Sequence, residues 1–312
     1  MHDVAVIVPT LNAGDQWRDW LEAFARQRAK PAYRLIIDSG SRDDTVSLAR
    51  QYGFEVEIIA PEVFNHGGTR QRGVARLPQA AIVVFLTQDA ILAGPDELAR
   101  LVACFADAAV GAAYGRQLPQ PNAGPIGAHA RLFNYPPTSA VRTLRDRQRL
   151  GIKAAFLSNS FSAFRRSALL AVGGFPSSTI MNEDTYVAAK LLLAGWNIAY
   201  CSEAAVYHSH DYRLTEECRR YFDIGVFHAR EPWIRQAFGA PEGEGKRFVL
   251  SELAYLTRHA PAALPGALVR TLAKWWAFRL GCCEHLLPYS LKRVLSLHRR
   301  YWKPAHAVAR YG

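Results

Sequence analysis

Three groups of polar residues in this chain have types and settings that could do covalent chemistry. The first is Asp89, which stands in LTQDA at the end of the apolar run AIVVFLT. A carboxylate at the exit of a buried strand can hold a divalent cation, and Mg²⁺ or Mn²⁺ favours oxygen ligands beside phosphates. A turn cap is the plainer use of the same residue. His208 and His210 in VYHSHDY form the second group. Residues at i and i+2 share a face while a strand lasts, so both imidazoles could reach that cation, or only one if the strand ends there. Third is Glu183-Asp184 in NEDTYVAAKLLLAGW. The helix dipole favours acidic residues in a first turn, and a carboxylate there can also remove a proton from an acceptor hydroxyl as general base.

Other residues suit a nucleotide. Asp38 ends YRLIID before Ser-Gly-Ser. Its carboxylate could accept from a nucleobase imide or a ribose hydroxyl, or from its own backbone in an Asx turn. Pro9, Thr10 and Asn12 form a turn-rich junction after VAVIV, and Gln88 stands beside Asp89. NHGGTRQRG puts two glycines with Arg70 and Arg72 at a helix start. Backbone N–H groups and guanidinium groups there suit phosphate, although a glycine pair also serves a plain turn.

The elements that must position these residues alternate. Apolar, β-branched runs at 4–8, 33–38, 54–59, 81–87 and 110–115 read as strands; 15–28, 41–53, 69–76 and 95–106 read as helices. Such alternation implies a mostly parallel sheet covered on both faces. Ligands then lie at the carboxyl ends of the strands, where Thr10, Asn12, Asp38 and Asp89 stand. Residues 116–150 read as an irregular or partly helical insertion over the site. FSAFRRSALLAVGGF reads as strand, helix and glycine turn, 182–196 as a helix, and 197–210 as two short strands ending at the histidines. Everything after Arg213 is helical in pattern, broken near Pro241, Pro261, Pro265 and Pro288. The expected division is 1–212 for an α/β catalytic domain and 213–312 for a helical, basic extension.

Of the 312 residues, 50% are hydrophobic and 21% charged, enough apolar content for a sizeable core. Five cysteines, an odd number without metal-ligand spacing, point to free thiols in a reducing compartment. The start MHDVAVIVPT lacks the pattern of a secretion signal, and no uncharged stretch is long enough to span a bilayer. The expected location is cytoplasmic, with peripheral attachment to the inner face of the cytoplasmic membrane as a further option. Residues 246–312 hold 12 Lys/Arg against 2 Asp/Glu, which is nearly the whole net charge of +11. A localised basic excess calls for an anionic partner, nucleic acid or lipid. Trp and Tyr interspersed with cations over 264–303 suit a membrane interface; a helical unit packed on the core with a solvated basic face has the same composition.

Taken in order, VAVIVPTLN, IIDSGSRDDT, NHGGTRQRG, LTQDA, FSAFRRSALLAVGGF, NEDTYVAAKLLLAGW and VYHSH resemble the family 2 glycosyltransferases, which have the GT-A fold, over roughly residues 4–212. The resemblance implies inverting transfer from a nucleotide-sugar donor to a glycan or lipid-linked acceptor, with Mg²⁺ or Mn²⁺. It implies Asp184 as the base, ionised at an ordinary carboxylate pKa, with Glu183 and residues 158–162 lining the sugar and acceptor side. Pro9, Thr10, Asn12, Asp38, Arg70, Gln88 and Asp89 would bind the donor, and Asp89 with His208 and His210 the metal. FNHGGTRQRG and LTQDA look most like bacterial rhamnosyltransferases, which use dTDP-L-rhamnose to build O-antigen and other surface polysaccharides. One departure is that many members carry Asp-x-Asp where Thr87-Gln88-Asp89 supplies one carboxylate, which makes a histidine ligand more useful.

Two other functions fit less well. A nucleotidyltransferase making a nucleotide sugar would carry a glycine-rich basic loop after the first strand, and PTLNAGDQW has one glycine and no lysine. A nucleic-acid-binding protein would leave the carboxylates at the strand ends unexplained, so no nucleic-acid partner is expected.

Overall fold

The computed structural model describes residues 1–209, 212–239 and 242–302. Among these, nine strands form one sheet: β1 (Val4–Thr10), β2 (Tyr33–Asp38), β3 (Glu55–Ile58), β4 (Ile82–Leu86), β5 (Ile91–Leu92), β6 (Val110–Leu118), β7 (Ala140–Arg142), β8 (Phe161–Arg165) and β9 (Asn197–Tyr207). Their order is β3-β2-β1-β4-β8-β6-β9-β5, with β7 pairing to β9. The first four are parallel neighbours, and β6 runs parallel to β9. Antiparallel β8 joins the two halves, so the mostly parallel sheet expected from the alternation is a mixed one.

Eight helices accompany the sheet: α1 (Trp17–Ala25), α2 (Thr45–Gln51), α3 (His66–Arg76), α4 (Glu97–Ala103), α5 (Pro125–Asn134), α6 (Arg147–Leu150), α7 (Arg166–Ala171) and α8 (Glu183–Leu193). Alternate residues of β1 enter two separate cores, Ala5 and Ile7 on one face, Val4, Val6 and Val8 on the other. That is the period-2 pattern of a strand buried on both sides. Trp17 and Trp20 of α1 stack at 4.7 Å in the second core. Indole N–H groups usually find acceptors when buried; Trp17 donates to the Thr45 carbonyl at 3.0 Å and Trp20 to the Thr87 carbonyl at 3.1 Å. The second bond braces the exit of β4 next to Asp89.

Two expectations change. Residues 197–207 form one strand rather than two, because the register shift between Gly115 and Arg116 lets β9 continue beside β6. A Cβ on Gly115 would lie 2.3 Å from Phe161 and 2.6 Å from the Ala204 carbonyl, so only glycine fits at this shift. The 116–150 stretch is also more ordered than its composition implies: β6 runs on to Leu118, and α5 and β7 follow.

After Arg213 come α9 (Leu214–Arg230), α10 (Pro232–Phe238), α11 (Glu242–His259), α12 (Leu264–Cys282) and α13 (Tyr289–Leu295). Helices α9 and α12 meet at glycines. A Cβ on Gly281 would lie 2.0 Å from the Phe222 carbonyl, and one on Gly225 2.2 Å from that of Phe278. The chain then turns back to the sheet. Asp223 accepts from the backbone N–H groups of Leu297 and His298 at 2.9 and 3.1 Å, and Arg300 donates to the Pro61 carbonyl at 2.9 Å. Trp302 is buried in the core that also holds Ile7, Leu35 and Phe85. The helical extension and the sheet therefore share one core.

Candidate active site

Strand β9 delivers His208 to Asp89. The Nε2 atom of His208 lies 3.4 Å from Asp89 Oδ1, with the imidazole buried and the carboxylate part-exposed. The other ring nitrogen, Nδ1, lies 2.9 Å from Gln117 Oε1. That oxygen also accepts from Arg131 Nη1 at 2.5 Å, while the Gln117 amide nitrogen donates to Ser158 Oγ at 2.9 Å. Arginine can only donate, so its bond fixes which end of the Gln117 amide is oxygen. An oxygen facing Nδ1 requires a proton there, and in the neutral imidazole that puts the Nε2 lone pair toward Asp89. This orientation by a second partner is what metal-ligating histidines normally have. An imidazole nitrogen and a carboxylate oxygen form a donor set that suits a divalent cation such as Mn²⁺. Among the described residues no three His, Cys, Asp or Glu side chains converge on one point. His210 lies outside the described residues.

Helix α8 delivers Asp184. Its Oδ1 accepts from the Thr185 N–H at 2.7 Å and its Oδ2 from the Asn159 N–H at 3.3 Å. Burial, and then the negative charge of Glu183, push its carboxyl up to about 6. The ordinary pKa expected from sequence is therefore corrected upward, toward the value that suits a base working near neutral pH.

Glu183 and Arg70, read as sugar-side and donor-side residues, are not among the residues that line the cavity. They form a buried ion pair, Nη1 to Oε1 2.9 Å, with side chains 5% and 8% exposed. Arg70 also donates to the His66 carbonyl at 2.9 Å, and Asn159 Nδ2 donates to Glu183 at 3.1 Å. Burial pushes the Glu183 carboxyl up, but Arg70 and His66 outweigh it and hold it below its usual range. The glycine pair has a packing role too. A Cβ on Gly67 would lie 1.9 Å from the Pro176 carbonyl, and Asn65 caps α3 by accepting from Gly68 N at 2.9 Å. At Gly67 the start of α3 thus packs against the turn leading to α8, while His66 beside it lines the cavity.

The residues read as nucleoside contacts do gather at the carboxyl edge of β1 and β2. Asp38 is buried and accepts four hydrogen bonds: Thr10 Oγ1 at 2.8 Å, Ser41 Oγ at 2.6 Å, and the N–H groups of Gly40 and Ser41 at 3.0 and 2.8 Å. The Asx-turn use of this carboxylate is the one seen, so Asp38 shapes the loop and does not offer a free acceptor. Gln88 clasps the backbone of Leu11, accepting at 2.8 Å and donating at 3.1 Å. Asn12 sits at φ 44° and its Oδ1 accepts from Arg42 N at 2.8 Å. Pro9 lies within β1 opposite Ile37.

Asp89, His208, Thr87, His66 and Asp184 line one end of a cavity of about 1350 Å³ that continues along α5, α9, α11 and α12. Several of its cations are already engaged. Lys153 pairs with Glu244, Arg270 with Glu217 at 2.7 Å, and Arg131 with Gln117. Arg220 of α9 lines the same cavity, and its charge acts on the Asp223 carboxyl of the same helix. Sequence reading missed Gln117, Arg131 and Arg220, because they come from segments far apart in the chain with no spacing that links them. His298 was missed likewise: it meets His66 edge-on at 4.8 Å, where burial and the charges of His66 and Arg220 push its imidazole down to about 3.

Residues 2–222 match the family described as glycosyltransferase-like family 2. Two curated relatives are similar along nearly the whole chain. The O-antigen chain rhamnosyltransferase WbaN of Salmonella anatum is 46% identical over 303 residues, 97% of this chain and 96% of that one. The O-antigen chain rhamnosyltransferase RfbN of Salmonella typhimurium is 47% identical over 300 residues, 96% of each chain. Among solved structures, mannosyltransferase PcManGT from Pyrobaculum calidifontis, in complex with GDP-Man and Mn²⁺, aligns with TM-score 0.57 at 19% identity, over 96% of this chain and 85% of that one. S. aureus TarS 1-349 in complex with UDP-GlcNAc also aligns at 0.57, with 16% identity over 96% and 88% of the two chains.

Proposed function

The chain belongs to the family 2 glycosyltransferases, and from that premise we propose that it transfers L-rhamnose from dTDP-L-rhamnose, with inversion, to a glycan or lipid-linked acceptor of a bacterial surface polysaccharide. The observation that carries this reading is the identity of 46% and 47% with two O-antigen chain rhamnosyltransferases across almost their full length.

Asp184 is the base. Its carboxylate takes the proton of the acceptor hydroxyl as that oxygen bonds to the anomeric carbon and the bond from that carbon to the diphosphate oxygen breaks. The electron pair leaves on dTDP. The raised pKa supports this role: at about 6 the group is ionised at neutral pH yet more basic than an ordinary aspartate. The Asn159 and Thr185 N–H groups orient the carboxylate. Asp89 and His208 would hold Mg²⁺ or Mn²⁺, the donor's phosphates and water completing its ligands. When bound, such an ion offsets the charge that develops on the departing phosphate oxygen. Arg220, which lines the cavity, takes the phosphate-side role that the resemblance implied for Arg70. The Gln88 clasp on Leu11 and the Asp38 loop hold the nucleoside edge in shape.

A panel of nucleotide sugars tests the proposal. Purified protein should turn over dTDP-L-rhamnose at least ~10-fold faster than dTDP-glucose, UDP-glucose or GDP-mannose, and EDTA should suppress the reaction. Preference for another donor would overturn the sugar assignment. Full turnover in EDTA would remove the metal.

A further inference from the structure

Helix α12 turns one stripe toward α9, with Ala267, Lys274, Ala277 and Gly281 buried. The opposite stripe has no protein cover among the described residues. Leu268, Val269, Leu272, Trp275, Trp276 and Leu280 recur on it at helical spacing and are all exposed, Leu272 by 63% and Trp276 by 61%. Leu286, Tyr289 and Val294, farther along the chain, are exposed as well. Scattered exposed apolar residues need no explanation, but one helix face that carries six of them, two tryptophans included, does.

The charges around the stripe say what it meets. Between residues 246 and 302 the chain has two carboxylates, Glu252 and Glu284, and both are buried. Glu284 is neutralised by Arg230 at 2.8 Å and by Lys292. Arg279, Arg293 and Arg299 are exposed. The surface of this region is therefore apolar with a purely cationic rim. That combination fits an anionic lipid bilayer, where Trp sits at headgroup level and Arg meets phosphate. The active-site cavity also reaches this face, since Trp275 and Arg279 line its far end while Asp184 lines the near one.

We infer that α12 is a membrane-docking helix, which inserts the Leu268–Leu280 stripe into the interface of an anionic bilayer with the active-site cavity opening toward the lipid. Insertion rests mainly on the apolar stripe. The basic composition of the tail contributes less than its net charge indicates, because Lys274 is buried, Arg270 is held by Glu217, and Lys292 by Glu284. The docking face is the same whichever sugar is transferred.

Flotation with vesicles of phosphatidylcholine, with and without one quarter phosphatidylglycerol, tests it on the full chain. Wild type should float with the anionic vesicles, and its tryptophan emission should shift to the blue. A variant with Leu268→Gln, Leu272→Gln and Trp276→Gln, all exposed and outside the cavity lining, should lose binding ~10-fold or more. Arg293→Gln with Arg299→Gln should weaken binding several-fold and abolish the preference for phosphatidylglycerol. Both variants should keep wild-type hydrolysis of dTDP-L-rhamnose in solution, which also shows that they are folded. Absence of wild-type binding, or a triple-Gln variant that floats like wild type, would overturn the inference. So would a wild-type dimer that the triple variant dissociates, because the stripe would then cover a second copy. Flotation without turnover of any nucleotide sugar would count against the proposed activity and leave the docking face standing.

Discussion

At the residue scale the site depends on two side chains whose behaviour is set by neighbours. Asp184 has a folded pKa of about 6 against 3.8 for a free carboxyl, because burial and Glu183 both disfavour its charge. Transfer needs the ionised form, so log kcat/KM should rise with pH with unit slope below about 6 and level off above it. Asp184→Asn should cut turnover by ~10²–10⁴ while dTDP binding, measured by calorimetry, stays within a few-fold of wild type. Near-normal turnover would reject Asp184 as base. The sign of the stability effect is the reverse of that for a salt-bridged aspartate. Between pH 3.8 and about 6 the folded state holds a proton that the unfolded state has released, so this group's contribution falls as pH rises. Above pH 6 the asparagine variant should melt no lower than wild type. Glu183→Gln removes one cause of the shift and should move the acid limb of the rate profile to lower pH. It also strands Arg70 in a buried site, and losing one partner of such a pair typically costs roughly 3–5 kcal/mol. An unmoved acid limb would mean that burial alone sets the Asp184 pKa.

The chain of bonds from Arg131 through Gln117 to His208 works the same way. Arg131→Met would free the Gln117 amide to turn over and offer N–H to Nδ1, reversing the tautomer and blunting Nε2 as a ligand. Disturbing such partners typically costs ~10–100-fold in metal affinity. Titration of turnover with Mn²⁺ checks this; an unchanged half-activating concentration would rule it out.

At the scale of elements, the α3 start is built for packing. Gly67 faces the Pro176 carbonyl at 1.9 Å from where a Cβ would be, while the nearest atoms to one on Gly68 lie at 3.5 Å. Gly67→Ala should therefore destabilise by at least ~1–3 kcal/mol, as overpacking does, and Gly68→Ala should be close to neutral in both melting temperature and dTDP affinity. A large loss of dTDP affinity in Gly68→Ala, with stability intact, would restore the phosphate role to this segment. The reading of NHGGTRQRG as a helix start was right in kind, since Asn65, Gly67 and Gly68 are suited to it. What the segment faces could not be read locally, because Pro176 lies more than a hundred positions away.

At the scale of the whole molecule, the extension is part of the fold's core. Phe222, Val226, Phe227 and Trp302 join Ile7 and Leu35 in one cluster, and His298 packs edge-on against His66 near the Glu183–Arg70 ion pair. Calorimetry should give a single transition at a protein concentration where the chain is monomeric, as two-state unfolding of one core requires. Two separated transitions would mean that 213–312 folds as a unit of its own. Trp302→Ala should cost ~3–5 kcal/mol, and should reduce turnover less than Asp184→Asn does, because it touches none of the reacting groups.

The local sequence by itself determined what short-range physics controls. Buried β-branched runs between helices specify the parallel neighbours β1 to β4, though not the antiparallel β8 that makes the sheet mixed, and a carboxylate at the end of such a run emerges at the carboxyl edge, as Asp38 and Asp89 do. Acidic residues at a helix start are likewise local, so Glu183-Asp184 could be placed at one, while the choice of Asp184 came from the family resemblance. Electrostatic environment and partner choice are not local. Whether Asp38 binds a ligand or its own loop depends on Thr10 and Ser41 saturating its oxygens. Whether Arg70 or Arg220 meets the cavity depends on Glu183 capturing the first and on α9 folding back to present the second. The register shift beside Gly115 sets the register in which β9 brings His208 against Asp89, more than a hundred residues away in the chain. Burial raises one of two adjacent carboxylates and an arginine lowers the other, and only the tertiary structure assigns which is which.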